Sequence, residues 1–238
     1  LRDPFAGADA VFFDIDGTLV DLFSVHITSY RNALKHVTKT DISDPGFFSE
    51  KFLGRMESAV WKTILKTIEK PAGLRTIKRL LRQRAIEFEK LLRHVSARKV
   101  LPGVVQTLRD LKKRGKLLFV FSGNSRKLGE LILYKTALGK FFENQFFGDD
   151  SPKIINRADL LSLALRETGV KPAKALVVGD TPQDALAAKH VGMRFLGVST
   201  GLHSRKELEA HAPRRVHEKM PQPTRRILRK VSGKRPRH

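Results

Sequence analysis

Two aspartates one residue apart, in Asp14-Ile15-Asp16-Gly17-Thr18, follow the apolar run Ala10–Phe13. Alternate side chains of an extended chain project to the same side, so both carboxylates can leave a strand end together. Acids this close repel, and a divalent cation relieves the repulsion. Gly17 permits the sharp exit such a loop requires. Two more polar clusters end apolar runs. Leu117–Phe121 leads into Ser122-Gly123-Asn124-Ser125. A hydroxyl and exposed backbone N–H groups there suit a phosphate oxygen, although Ser and Asn also cap helices. Ala175–Val178 leads into Gly179-Asp180-Thr181-Pro182-Gln183-Asp184, where Pro182 fits a first helical turn. Asp184 lies four residues after Asp180, within reach of the same ion.

The elements that must hold these loops follow from the apolar pattern. Ala10–Phe13, Leu117–Phe121, Ala175–Val178 and Phe195–Val198 read as short buried strands, with Gln145–Gly148 a weaker fifth. Helical periods lie between them at Val104–Lys113, Ala158–Thr168 and Asp184–Val191, the last two stopped by Gly169 and Gly192. Alternating strands and helices predict an α/β fold with a Rossmann-like parallel sheet core, in which the three polar strand ends converge on one edge. Leu22–Val100 breaks the alternation with helical periods only: Ala59, Val60, Ile64 and Leu65, then, beyond Pro71-Ala72-Gly73, Ile77, Leu80, Leu81, Ile86 and Phe88. It reads as an inserted α-helical cap domain. The expected organisation is a core of residues 1–21 and 101–212, a cap of 22–100, and a basic, flexible tail of 213–238.

Composition narrows the function. With 238 residues, of which 41% are hydrophobic, the chain can bury a sizeable core. Without cysteine it has neither disulfides nor thiolate chemistry. No apolar run is long enough for a transmembrane helix and no signal peptide pattern opens the sequence, so a cytoplasmic location is expected. The first residue is not Met, which leaves room for residues upstream. The formal charge is +22, of which +10 falls in the cap and +9 in the tail. A field of that sign attracts phosphorylated metabolites, nucleic acid or acidic membrane surfaces.

Taken together, DIDGTLVD, FSGNSR and GDTPQD resemble, in order, the first, second and fourth motifs of the haloacid dehalogenase superfamily, specifically its capped phosphatases such as phosphoglycolate phosphatase. The resemblance spans roughly Ala10 to Leu208. It implies that Asp14 is a nucleophile, Asp16 a general acid/base and Ser122 a phosphoryl ligand, with Asp14, Asp16, Asp180 and Asp184 around Mg2+. Thr18, Gly123, Asn124 and Arg55 are the expected substrate contacts, and His26 sits where similar phosphatases have a cap hinge. The third motif departs from the usual K-P-x-P. Here the segment runs Gly148-Asp-Asp-Ser-Pro-Lys153-Ile-Ile-Asn-Arg157, and Arg157, just ahead of a helix, is preferred over Lys153 as the cation beside Asp14.

The activity this implies is hydrolysis of a small phosphate monoester through an aspartyl-phosphate. Asp16 favours an ester over a halide, because a halide leaving group needs no proton. A phosphomutase of the same superfamily is the alternative within the fold. Phosphonate cleavage would need a cap lysine, and Lys35, Lys51, Lys62 and Lys66 read as solvated. Trp61 and Phe52 read as packing residues. The alternative from another class is a nucleic-acid or anionic-surface binding protein that uses the basic cap and tail.

Overall fold

The computed structural model describes residues 3–42, 44–48, 56–201, 203–212 and 215–223. Six parallel strands form one sheet: β1 (Ala10–Phe13), β2 (Leu117–Ser122), β3 (Asn144–Phe147), β4 (Ala175–Gly179), β5 (Arg194–Val198) and β6 (Val216–His217). Their spatial order is β3-β2-β1-β4-β5-β6. The chain steps outward from β1 to β3, then returns to lay β4 on the other side of β1. That places the topological switch between β1 and β4, where open α/β sheets bind ligands. Register is fixed there by Phe13 standing opposite Val120 on one side and Val178 on the other.

The central strands carry unbroken apolar sequence because both faces are covered. Ala10 and Phe12 pack on one face with Leu160, Leu161, Ala164 and Ala188, from α6 (Arg157–Thr168) and α7 (Pro182–His190). Val11 and Phe13 point to the other face, with Leu108, Leu111, Leu128 and Ile132 from α4 (Val104–Lys113) and α5 (Arg126–Lys135). A short α8 (Arg205–Glu209) precedes β6.

Between β1 and α4 the chain builds α1 (Phe23–Thr38), α2 (Glu57–Thr67) and α3 (Leu74–Leu92), the helical cap. The cap has its own core of Tyr30, Leu34, Phe48, Val60, Trp61, Ile64 and Leu80. Phe88 and Leu92 at the far end of α3 join the core beside the sheet instead, so one helix ties the two layers together.

The segment read as a flexible tail begins differently. Val216–His217 pairs with Gly197–Val198 as the edge strand, Met220 is buried, and Thr107 donates to the Pro221 carbonyl at 3.0 Å. Charge counting hid a two-residue strand whose apolar content is one valine. Residues 224–238 of that segment lie outside the described residues, as do Lys51, Phe52 and Arg55.

Candidate active site

Asp14 leaves β1 with its backbone N–H donating to the Val178 carbonyl of β4, 3.0 Å away. The ladder thus carries one step past the strand and aims the side chain into the switch point. Asp180 follows β4, and Asp184 sits in the first turn of α7. Thr181 caps that helix reciprocally: its hydroxyl meets Asp184 Oδ2 at 2.7 Å, and its backbone N–H donates to the same oxygen at 3.2 Å. One oxygen each of Asp14, Asp180 and Asp184 falls within 4.8 Å of the others, and all three residues are buried.

Arg157 opens α6, where Asn156 and Asp159 form a capping box that fixes the helix start. Its Nη1 donates to Asp14 Oδ1 at 2.9 Å and to Asp184 Oδ1 at 2.6 Å. Of the two candidate cations, Arg157 therefore reaches the carboxylates. Lys153 is exposed in the preceding turn and is not part of the cavity wall.

Asp16 stands apart from the three-carboxylate group. Its Oδ2 accepts from Asn124 Nδ2 at 2.6 Å and its Oδ1 meets His26 Nε2 at 2.8 Å. Arg84 Nη2 lies 2.5 Å from the other ring nitrogen of His26. Guanidinium can only donate, so Nδ1 is the acceptor of that contact and Nε2–H is the donor to Asp16. Arg84 is itself buried in the cap, paired with Glu57 at 2.7 Å and lying 4.0 Å over the Tyr30 ring. A chain of contacts thus runs from Asp16 through α1 and α3 to α2.

The electrostatics split the two motif aspartates. Burial, opposed by Arg157 and reinforced by Asp184 and Asp16, pushes Asp14 up to about 7. Asp180 is raised well above the carboxylate range, by burial first and then by Asp14 and Asp184. Burial would raise Asp16 too, but the contacts with His26 and Asn124 outweigh it and hold Asp16 below its ordinary value. The set fits a hard divalent cation: three oxygen donors gather at one point, and two of them resist ionisation for want of positive charge.

These groups surround a cavity of about 280 Å³ whose wall includes Asp14, Asp16, Ser122, Gly123 and Asn124. Thr18, an expected substrate contact, is 1% exposed and turned inward, its hydroxyl donating to Asp180 Oδ1 at 3.3 Å. A Cβ on Gly17, at φ 76°, would clash with the Asp180 carboxylate and with the Gly201 Cα, so a side chain there is excluded twice over. Thr200, Gly201 and His203 complete the wall from the loop after β5, and sequence reasoning missed them. The signal was present, since Thr200-Gly201 lies just beyond another strand at the same sheet edge. Arg84 and Glu57 were missed as well. Arg84 falls in the apolar stripe Ile77, Leu80, Phe88, Leu92 of α3, and a charge in that phase marks a buried pair.

A parallel sheet that gathers buried carboxylates at its switch point beneath an inserted helical domain defines a capped, Rossmann-like enzyme. The chain belongs to the haloacid dehalogenase-like hydrolase family, whose family model matches residues 11–198. It is a hydrolase of the phosphatase kind. It is 31% identical over 210 residues to a phosphoglycolate phosphatase from Synechococcus elongatus, covering 86% of this chain and 90% of that protein. It is 29% identical over 215 residues to the pyrophosphatase PpaX of Bacillus velezensis, covering 89% and 92%. A hydrolase from Pseudomonas syringae shares the fold at TM-score 0.77, with 23% identity over 94% of this chain and 99% of that one.

Proposed function

We propose that the protein is a Mg2+-dependent phosphatase that hydrolyses a small phosphate monoester by transfer to Asp14. The observation that carries this reading is the single guanidinium of Arg157 spanning Asp14 and Asp184 beside Asp180, with Asp16 held separately on the rim. Nucleophile and proton carrier then have different environments, as a two-step displacement requires.

Asp14, Asp180 and Asp184 would hold the ion, which when bound supplies positive charge against both the carboxylates and the incoming phosphate. Asp14 attacks phosphorus, forming an aspartyl-phosphate as the ester oxygen leaves. Arg157 favours the ionised, attacking form of Asp14 against the pull of burial and offers charge to the phosphoryl oxygens. Ser122 and the N–H groups of the loop after β2 receive those oxygens. Asp16 is poised as the carboxylate, the form that takes a proton from water attacking the aspartyl-phosphate. To protonate the departing alkoxide it must first gain a proton against the donations of His26 and Asn124. The first displacement is therefore the step most sensitive to that pair of contacts.

Phosphate release across a panel including phosphoglycolate, pyrophosphate and p-nitrophenyl phosphate, with and without Mg2+, tests the assignment. Wild type should turn over at least one monoester with Mg2+ and leave a phosphorylated chain on rapid acid quench. Asp14→Asn should do neither. Turnover by Asp14→Asn at the wild-type rate would remove Asp14 from the chemistry, and phosphate moved to a second hydroxyl of the substrate rather than to water would make the protein a mutase.

A further inference from the structure

The N-terminal half of α3 carries charges in an order that works against the helix. Between Glu69 and Glu87 the sequence has six basic residues and no acidic one. Arg84 is consumed by the cap interior, but Lys70, Arg75, Lys78, Arg79 and Arg82 are all exposed. Arg75 and Arg79, and Lys78 and Arg82, are like-charged i,i+4 pairs, which destabilise a helix. Arg75 also lies in the first turn, where the helix dipole disfavours a cation, and the N-cap Gly73 offers no side chain. On α2, Lys62 and Lys66 are exposed and again four residues apart. None of these seven residues forms an ion pair among the described residues, whereas other helices balance their charge, as in Arg126–Glu130 and Arg205–Glu209, and the C-terminal half of α3 does so in Lys90–Glu87.

We infer that this basic face of α3 binds double-stranded nucleic acid through its phosphate backbone. Helical neighbours stand about 5–6 Å apart at Cβ, a spacing on the scale of successive phosphates along one strand. Three of the five bases on and just ahead of α3 are arginine, whose planar fork matches phosphate oxygens in pairs. The exposed large apolar residues of α2 and α3 are Leu74 and Ile86, neither aromatic, so the face offers no platform for stacking unpaired bases. The apolar stripe of α3 is spent on the cap and sheet cores, which leaves no apolar face to enter a membrane. Binding of this kind reads phosphate charge rather than sequence.

The test is fluorescence anisotropy of the full chain with a labelled 20-base-pair DNA duplex, between 50 and 200 mM NaCl. The triple variant Arg75→Glu, Arg79→Glu, Arg82→Glu is compared with an equal charge change elsewhere, Lys171→Glu, Lys174→Glu, Lys189→Glu, all exposed residues. The α3 variant should bind at least about 100-fold more weakly, and its slope of log K against log salt should shrink by roughly 2.7, three phosphates at about 0.9 each. The control should lose less than about 10-fold. Both should keep wild-type helicity and turnover of p-nitrophenyl phosphate. If the glutamate variant fails to fold, Arg75→Gln, Arg79→Gln, Arg82→Gln removes the same contacts without reversing charge. Equal weakening by both variants would show net charge acting without a built face and overturn the inference. So would absence of duplex binding at 50 mM salt, or stronger binding to phosphatidylserine vesicles than to the duplex.

Discussion

Arg84→Met is the most informative single change, because it separates the cap's stability from its grip on Asp16. Methionine fills much of the volume of the arginine stem but leaves the Glu57 carboxylate, 11% exposed, without its ion pair and His26 Nδ1 without its donor. An unpaired charge left buried destabilises by about 3–5 kcal/mol, most of it from Glu57. For a chain of this length that corresponds to a fall in melting temperature on the order of 10 °C. Adding Glu57→Gln removes the orphaned charge, so the double variant should recover about 2 kcal/mol relative to the sum of the single losses. Urea melts of the four proteins give the cycle. Turnover should change in a specific direction. The charge on Arg84 is one of the causes that hold Asp16 low, so removing it lets Asp16 gain a proton more readily. Alkyl phosphates, whose leaving groups need a proton, should then slow less than p-nitrophenyl phosphate. Additivity of the cycle within about 0.5 kcal/mol, or equal slowing of both substrates, would refute the reasoning.

Other outcomes follow from the same geometry. Asp16→Ala should slow alkyl phosphates far more than p-nitrophenyl phosphate, because p-nitrophenolate leaves without a proton; steady-state rates on both check it. Both contacts of Arg157 come from one Nη1, a position that the shorter lysine of Arg157→Lys does not reach, so kcat/KM should fall at least about 10-fold. Asp14 and Asp180 are both raised, so the folded chain keeps protons that the unfolded chain has released. Metal-free stability should therefore decline as pH rises from about 4 towards about 7, the opposite of a paired surface carboxylate. Thermal melts in EDTA should show this decline, Mg2+ should flatten it, and Asp14→Asn should lose the Asp14 share. An identical pH slope in Asp14→Asn and wild type would contradict the assignment.

The central strands and three of the helices over them, α4, α6 and α7, were legible because those strands are short, apolar and punctuated by Asp, Ser or Gly, whereas α5 was not read from the sequence. Asp14, Asp180 and Asp184 were legible for the same reason: the pattern that ends a strand also places its loop on the shared edge. The contacts that cross between layers were not. Nothing in the spacing of Thr18 says that its hydroxyl turns to Asp180 rather than to the cavity. Asp16, counted with the metal ligands, is drawn off by His26 and Asn124, and Asn124 comes from the loop after β2, more than a hundred residues away. Strand β6 carries a single apolar side chain, Val216, and sits in the most basic part of the chain, so its pairing energy is tertiary and leaves little local trace.

One imbalance ties the site to the rest of the molecule. The described charged residues of the cavity wall are Asp14, Asp16, Asp21 and Asp180 against Arg157, an acidic surplus at the point where a phosphate must land. The chain as a whole carries +22. At long range the positive surface draws an anion inward, while at contact the wall repels it unless further positive charge is present. Arg157 cannot supply that charge alone, since its guanidinium is already shared between two carboxylates. A divalent ion held by Asp14, Asp180 and Asp184 would turn the last few ångströms from repulsive to attractive. Removing it should therefore raise the apparent KM for phosphate esters steeply, and added salt, which screens only the outer field, should change that KM much less.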